Sequence, residues 1–280
     1  MRRLLHIVLL SFIVSLAVLG CASITAPQTE GDARTGTTTL NVFAAASLTK
    51  AFSEIGENFA AANPGVEIVF NFAGSNQLAT QIGQGAPADV FASANGTQMN
   101  VAIETGRIIT DTQRTFVRNR LVVIAPSDNP AGLTSLQELA TPGIKIVFAA
   151  KEVPIGQYSL DFLDKAAADG SLGADYKEAV VANVVSYEEN VRTVLAKVTL
   201  GEADAGIVYT SDVAANEEGE VTQIEIPDTL NTIAGYPIAS LSDSPNLELA
   251  QQFVDYVLAA EGQQVLVNYG FVASDGASSQ

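Results

Sequence analysis

From residue 40 onward, short apolar segments of strand length alternate with segments whose apolar residues recur at helical spacing. The first such segment, Leu40–Ala45, is typical of a buried strand, and Phe52, Ile55 and Phe59 then fall on one face of a helix. The alternation continues through most of the chain. Strands that alternate with helices of about 10–15 residues indicate βαβ units, so the sequence predicts an α/β fold built on parallel sheets.

The predicted elements can be placed from the apolar runs and from the glycines and prolines that end them. Strands are expected at residues 40–45, 66–72, 89–92, 121–126, 144–149, 180–185, 205–209, 221–227 and 233–241. Helical patterns are expected at residues 52–59, 77–84, 99–104, 158–168, 191–198 and 249–257. The length of this body and its two series of βαβ units suggest two α/β lobes.

The first 21 residues are typical of an export signal. Two arginines, at positions 2 and 3, precede an apolar run that extends to position 19. A retained transmembrane helix is the alternative, but the run is somewhat short for a span of about 20 residues. The run ends in Val18-Leu19-Gly20-Cys21, which resembles the lipobox of bacterial lipoproteins, where cleavage precedes a cysteine that carries a diacylglyceryl group. We therefore predict a signal peptide over residues 1–20 and lipidation of Cys21.

Residues 21–38 are rich in Ser, Thr, Gly, Pro and Gln and have few large apolar side chains. Such a segment cannot bury enough surface to fold, so we predict a flexible tether. An exported protein, anchored to the cell membrane on its extracytoplasmic side through Cys21, is the expected result.

The rare residues exclude several classes of enzyme. The single histidine is His6 and the single cysteine is Cys21, so removal of the signal and lipidation of Cys21 leave a body without histidine or free thiol. A Ser-His-Asp triad, a Cys-His pair and zinc sites with His or Cys ligands all need those side chains. The formal net charge of −17 also argues against a nucleic-acid partner, which requires clustered Lys and Arg.

Four predicted strand-to-helix turns share one feature: each brings a helix N-terminus to the carboxyl edge of a sheet, where α/β proteins bind ligands. Ser47 and Ser75 open helices in the first half, and residues 152–156 and 187–191 open helices in the second half. Free N–H groups and the helix dipole make such ends anion sites without Lys or Arg. The alternative is ordinary helix capping, which has no function beyond stability.

Six motifs, in order along the chain, resemble the molybdate-binding proteins of ABC importers. They are Phe43-Ala44-Ala45-Ala46-Ser47-Leu48, Gly85-Ala86-Pro87-Ala88-Asp89-Val90-Phe91, Val153-Pro154-Ile155-Gly156, Glu189-Asn190-Val191-Arg192, Gly206-Ile207-Val208-Tyr209-Thr210-Ser211-Asp212 and Tyr269-Gly270-Phe271. Each motif alone is weak, but six in family order across nearly the whole body are specific.

The resemblance implies a type II periplasmic-binding-protein fold, in which two hinged α/β lobes hold a tetrahedral oxyanion in the cleft between them. We expect residues 39–120 with 236–280 to form one lobe and residues 121–235 to form the other. It also implies capture of molybdate, and of tungstate, for delivery to an ABC permease by a monomeric protein that needs no cofactor. Molybdenum would enter only as the bound oxyanion, with no direct protein ligand to the metal.

Carried over by position, the resemblance gives five ligand contacts. Ser47 and Ser75 would contribute their hydroxyl and backbone N–H groups, Ile155 and Val191 would contribute backbone N–H groups, and Tyr209 would contribute its hydroxyl. A site of neutral donors, with no acceptor for a protonated oxygen, should take a fully deprotonated anion.

Three positions depart from the family pattern: Gly74 stands where Ser is frequent, Ile155 where Ala is frequent, and Asn190 where Asp is frequent. The bulk of Ile155 bears on which anion is preferred, and sulfate or another tetrahedral oxyanion is the alternative ligand. A different class, a lipid-anchored hydrolase with Ser47 or Ser75 as nucleophile, would need a lysine such as Lys50 as its base.

Overall fold

The computed structural model describes residues 37–216 and 221–274. The predicted signal peptide, Cys21 and nearly all of the predicted tether lie outside these residues. Within them, no helix combines the length and the hydropathy needed to cross a membrane.

Two separate β-sheets organise the described chain. The first has six strands in the order β11-β4-β10-β3-β1-β2, and the second has five in the order β7-β6-β8-β5-β9. The strands are β1 Thr38–Ala45, β2 Val66–Ala73, β3 Val90–Ala92, β4 Arg114–Asn119, β5 Leu121–Pro126, β6 Ile146–Ala149, β7 Val184–Glu188, β8 Ala205–Tyr209, β9 Val221–Glu225, β10 Ala234–Ser240 and β11 Val272–Ala273.

Both sheets are mixed, so the prediction of parallel sheets is only partly right. β1 pairs in parallel with β2 and β3, and β6 pairs in parallel with β7 and β8. However, β10 runs antiparallel between β3 and β4, and β5 runs antiparallel to β8 and β9. The chain enters a new sheet at β5 and at β10, whereas β11, which is antiparallel to β4, stays within the first sheet. Apolar runs carry no information on strand direction.

Nine α-helices lie among the described residues. They are α1 Thr49–Ala62, α2 Ser75–Gly83, α3 Gly96–Glu104, α4 Pro154–Asp169, α5 Tyr176–Ala182, α6 Val191–Thr199, α7 Thr210–Ala214, α8 Leu247–Leu258 and α9 Ala260–Asn268. The apolar face predicted for the first helix is confirmed, because Phe52, Ile55 and Phe59 are buried. Phe52 packs against the rings of Phe70, Phe116 and Phe253 and so joins α1 to the first sheet and to α8.

The strand predicted at residues 180–185 is placed too early in the chain. Helix α5 extends through Ala182, and strand β7 begins only at Val184. Tyr176 and Val180 are four residues apart and both buried, so the first part of the run follows the helical period. Asn183 separates the two elements and donates from Nδ2 to the carbonyl oxygens of residues 139 and 141.

The chain passes between the sheets at two described places. Only Arg120 separates β4 of the first sheet from β5 of the second, and the segment after β9 leads back to β10. The strands of the first sheet therefore come from residues 38–119 and 234–273, and those of the second come from residues 121–225. The division into lobes at residues 120/121 and 235/236 remains a prediction.

Candidate functional site

The loops that follow β1, β2, β6 and β7 meet around one small cavity that is partly open to solvent. All five residues predicted as ligand contacts line it: Ser47, Ser75, Ile155, Val191 and Tyr209. The other lining residues are Ala45, Ala46, Ala73, Gly74, Ala94, Val153, Pro154 and Asn190. The structure thus brings the predicted residues together, and their role as ligand contacts stays a prediction.

Three α-helices begin at the cavity. Ser75 is the first residue of α2, Ile155 follows Pro154 in the first turn of α4, and Val191 is the first residue of α6. First-turn N–H groups have no acceptor within their own helix, and the helix dipole gives this end a partial positive charge. The cavity wall is therefore a cluster of N–H donors that favours an anion.

No side-chain cap at these helix starts occupies the N–H of Ser75, Ile155 or Val191. Helix α4 has no side-chain cap, and at α2 Gln77 Oε1 accepts at 3.3 Å from the N–H of Gly74, the residue before the helix. Asn190 does cap α6, but its Oδ1 accepts from the N–H of Thr193 at 3.1 Å, two residues beyond Val191. A ligand could therefore bind the first-turn N–H groups of all three helices without displacing a side-chain cap.

The two serines are buried, and each hydroxyl already has one protein partner. Ser47 lies in a short 3-10 turn, Ala46–Leu48, between β1 and α1, and its Oγ is 3.0 Å from the Oη of Tyr236. Ser75 Oγ accepts a hydrogen bond of 3.0 Å from the N–H of Ala94. These contacts hold both hydroxyls at the cavity wall.

Tyr209 is the last residue of β8 and is 1% exposed. Its Oη lies near the hydroxyl of Tyr236 but makes no hydrogen bond of normal distance and angle among the described residues, and Tyr209 lines the cavity. Burial raises the pKa of Tyr209 well above its ordinary value, and the nearby Tyr236, Tyr158 and Asp212 add to this rise. The phenol therefore stays protonated and can donate one hydrogen bond to a ligand.

No charged side chain lines the cavity. The buried carboxyl group of Asp212 lies beside the lining residue Tyr209 and accepts from its N–H at 3.1 Å. Burial raises the pKa of Asp212 to about 7, against the opposing effects of that hydrogen bond and of the charge on Arg192. Across residues 37–216 and 221–274, no group of three or more His, Cys, Asp or Glu side chains is placed to hold a metal ion.

The presence of Gly74 where the family frequently has Ser has a steric reason in the structure. A Cβ at this position would lie 2.6 Å from the carbonyl oxygen of Glu189. Gly74 follows β2 of the first sheet, and Glu189 follows β7 of the second. Gln77 and Gln98 add hydrogen bonds in the same region, to Glu189 Oε2 at 3.2 Å and to the carbonyl oxygen of Glu152 at 3.1 Å. The two halves of the cavity wall therefore meet at a backbone contact that requires glycine.

Sequence reasoning did not find Tyr236 or Asn119, which form the layer behind Ser47 and Tyr209. Tyr236 is fully buried on β10 and its ring contacts that of Tyr209 edge-on at a centroid distance of 5.8 Å. Asn119 ends β4 and its Nδ2 donates to Tyr236 Oη at 3.3 Å. Neither residue lies in a local motif, and only the pairing of β10 with β4 brings them to the site.

Comparisons with known proteins agree with this architecture. Residues 40–272 match the family model for bacterial extracellular solute-binding proteins. The molybdate-binding protein ModA of Mycobacterium tuberculosis H37Rv is 38% identical over 263 residues, which cover 94% of this chain and 95% of that protein.

Two solved structures are similar in fold. The sulfate-binding protein SubI of Mycobacterium tuberculosis H37Rv aligns with a TM-score of 0.77 and 19% identity, over 86% of this chain and 88% of that one. The periplasmic molybdate-binding protein of Azotobacter vinelandii aligns with a TM-score of 0.70 and 19% identity, over 83% of this chain and 98% of that one. These likenesses confirm the predicted type II periplasmic-binding-protein fold. Because the family model matches residues 40–272 and ModA is 38% identical, the chain belongs to the bacterial extracellular solute-binding proteins.

Proposed function

We propose that this chain is the substrate-binding component of an ABC transporter and captures molybdate, and also tungstate, as the fully deprotonated oxyanion. The observation that carries the proposal is the Tyr209 hydroxyl, which is buried, protonated and without a partner among the described residues at a cavity where three helices begin. An unpaired buried hydroxyl is costly, so its place in this wall is best explained by an acceptor that the cavity takes up.

The proposed chemistry is hydrogen bonding of a dianion by neutral donors. Hydroxyl groups come from Ser47, Ser75 and Tyr209, and N–H groups come from the helix starts at Ile155 and Val191. Hydrogen bonds to an ionised acceptor are about twice as strong as neutral ones. A wall of this kind avoids the cost of burying a lysine or arginine.

Molybdate is favoured over sulfate as the ligand because the ModA relative, similar over nearly its whole length, is a molybdate-binding protein by name. The structural likeness to a sulfate-binding protein concerns the fold alone. Ile155 contributes to the wall through its backbone in this proposal, so its side chain would affect the size of the cavity more than the number of donors.

Binding is favoured over serine hydrolysis. Ser47 Oγ is paired with Tyr236 and Ser75 Oγ accepts from the N–H of Ala94, so neither hydroxyl contacts a base. The lining residues include no Lys, His, Asp or Glu that could take up a proton.

We further propose that Cys21 carries the lipid anchor, that the protein acts as a monomer on the extracytoplasmic side of the membrane, and that it passes its ligand to a membrane permease. The lipobox-like Val18-Leu19-Gly20-Cys21 supports the anchor, and the extracellular solute-binding family supports export and the permease partner.

The test is thermal unfolding of residues 22–280 with millimolar molybdate, tungstate, sulfate or phosphate. A ligand at 100 times its Kd should stabilise the fold by about 2.7 kcal/mol. We expect molybdate and tungstate to raise the midpoint and sulfate and phosphate to leave it unchanged. An equal shift with sulfate would make the named ligand wrong, and no shift with any anion would overturn the binding function. Burst release of product from an ester substrate would instead support the hydrolase.

A further inference from the structure

The residues proposed as ligand contacts are almost fully buried, although the cavity is partly open to solvent. Ser47, Ser75, Ile155, Val191 and Tyr209 are between 1% and 7% exposed. The two serines follow strands of the six-stranded sheet, and the other three contacts follow or end strands of the five-stranded sheet. We call the loops and helices that follow the six-stranded sheet the first half of the wall, and those that follow the five-stranded sheet the second half. An anion that bonds to both halves can reach and leave them only when the halves separate.

Two glutamines of the first half donate hydrogen bonds to the second half at the rim of the cavity. Gln98 Nε2 donates to the carbonyl oxygen of Glu152 at 3.1 Å, and Gln77 Nε2 donates to Glu189 Oε2 at 3.2 Å. Glu152 and Glu189 each directly precede a residue that lines the cavity. The Gln77 amide has only this orientation, because its Oε1 accepts from the backbone N–H of Gly74 at 3.3 Å. Both bonds therefore join the halves beside the loops proposed to contact the ligand.

A third hydrogen bond between the halves is better protected from water. Asn95 is 2% exposed and caps α3, since its Oδ1 accepts from the backbone N–H of Gln98 at 2.9 Å. A backbone N–H can only donate, so the atom that faces Gln157 is the amide nitrogen, and it donates to Gln157 Oε1 at 3.3 Å. Gln157 lies in α4, two residues after Ile155. This bond therefore joins the first half directly to a helix whose start is a proposed ligand contact.

These three hydrogen bonds must break when the halves separate. Their residues lie at positions 77–98 and 152–189, whereas the chain crosses between the sheets at Arg120 and again between β9 and β10. The covalent crossovers join the sheets whether the cavity is open or closed, so they cannot keep it closed. The bonds at the rim can, because each neutral hydrogen bond favours the closed arrangement by about 2- to 10-fold.

We propose that Asn95, Gln98 and Gln77 are positioning residues that keep the cavity closed around its ligand and so set the rate at which the oxyanion leaves. This inference rests on the proposed function, because it concerns release of the ligand named there. The anion meets both halves of the wall only while the three bonds are broken, so its association should depend little on them. Their effect falls on release, which has to wait until they break.

The test is stopped-flow measurement of the rate constants for molybdate association and release in the wild type, Gln98→Met, Gln157→Met and the double variant. Tyrosine fluorescence is the signal, because the chain has no tryptophan and Tyr209 lines the cavity. Methionine keeps the unbranched side chain and the helix propensity of glutamine but has no amide. Each single variant should raise the release rate constant about 2- to 10-fold, and the double variant should raise it further. The association rate constant should not fall.

The matched control is Gln81→Met. Gln81 is a half-buried helix residue of α2, as Gln98 is of α3 and Gln157 is of α4. Its Oε1 accepts from Asn71 Nδ2 at 2.7 Å, so the control also loses an amide hydrogen bond, but one that lies between β2 and α2 and does not join the two halves. The control should therefore leave both rate constants unchanged. Urea unfolding of each ligand-free variant checks that it folds, and Gln77→Met takes the place of any variant that does not.

Each possible result supports the inference or overturns it. If Gln98→Met and Gln157→Met release molybdate no faster than Gln81→Met does, the inference is wrong and the proposed function stands. A lower association rate constant with unchanged release would mean that these residues only shape the site, and would also overturn the inference. If the wild type binds no oxyanion, the proposed function fails and the inference fails with it.

Discussion

Removal of the Tyr209 hydroxyl should have opposite effects on stability and on ligand binding. Tyr209 is 1% exposed, and its Oη has no partner in the described residues. Tyr209→Phe deletes that one atom and keeps the ring, including its edge contact with Tyr236. The same substitution at most buried tyrosines would instead break a hydrogen bond.

The magnitudes follow from what the hydroxyl does in each state. Leaving a buried polar group unpaired costs about 1–3 kcal/mol, so its deletion should leave the unfolding free energy of the ligand-free protein unchanged or raise it by up to about that amount. With the anion bound, the hydroxyl would donate to a charged oxygen, and such a bond contributes about 1.5–3 kcal/mol. Molybdate affinity should therefore fall about 10- to 150-fold.

The assay is urea unfolding of the ligand-free protein together with calorimetric titration by molybdate. The control is Tyr176→Phe, because the buried Tyr176 hydroxyl donates to the carbonyl oxygen of Leu136 at 2.8 Å. Its loss should lower the unfolding free energy by about 1 kcal/mol and leave molybdate affinity unchanged. The reasoning is refuted if Tyr209→Phe destabilises the ligand-free protein as much as the control does while affinity is retained.

Three further outcomes are expected. Gly74→Ala should weaken molybdate binding, because the new Cβ would lie 2.6 Å from the carbonyl oxygen of Glu189. The control Gly96→Ala should leave binding unchanged, because its Cβ has no neighbour within 4 Å. Equal molybdate affinities of the two variants would contradict this prediction. Asp212→Asn should gain stability relative to the wild type as pH rises from about 4 to 7, by at most about 1.4 kcal/mol per pH unit, since only the folded wild type holds the Asp212 proton in that range. Urea unfolding at several pH values tests this, and a constant difference would refute it. Cys21→Ser should release the protein from the membrane fraction in cell fractionation, and retention would argue against lipidation.

The helix starts at the cavity could be predicted because their signals are local. A small-residue turn after an apolar run places Ser75 at the start of α2, and Pro154 marks the first turn of α4. The resemblance to molybdate-binding proteins singles out five residues as ligand contacts, and all five line one cavity in the structure.

The rest depended on contacts between distant parts of the chain. Strand β4 was not predicted, because its exposed Arg114 and Arg118 interrupt the apolar pattern that marks a buried strand. Asn119, at the end of that strand, was missed for the same reason. Tyr236 lies in a predicted strand, but nothing local indicates that β10 would place its hydroxyl beside Ser47.

The position of β10 also determines the order in which the two sheets can form. All strands of the five-stranded sheet come from residues 121–225, so this sheet can assemble from one continuous stretch of chain. The six-stranded sheet cannot, because β10 is its link between β3 and β4 and comes from residues 234–240. Contacts between sequence-distant strands form slowly, since the entropy of closing the loop is lost first. A chain emerging N-terminus first thus reaches residue 233 while the sheet beside Ser47 and Ser75 is still divided. Tyr236, whose Oη is 3.0 Å from Ser47 Oγ, arrives only with β10.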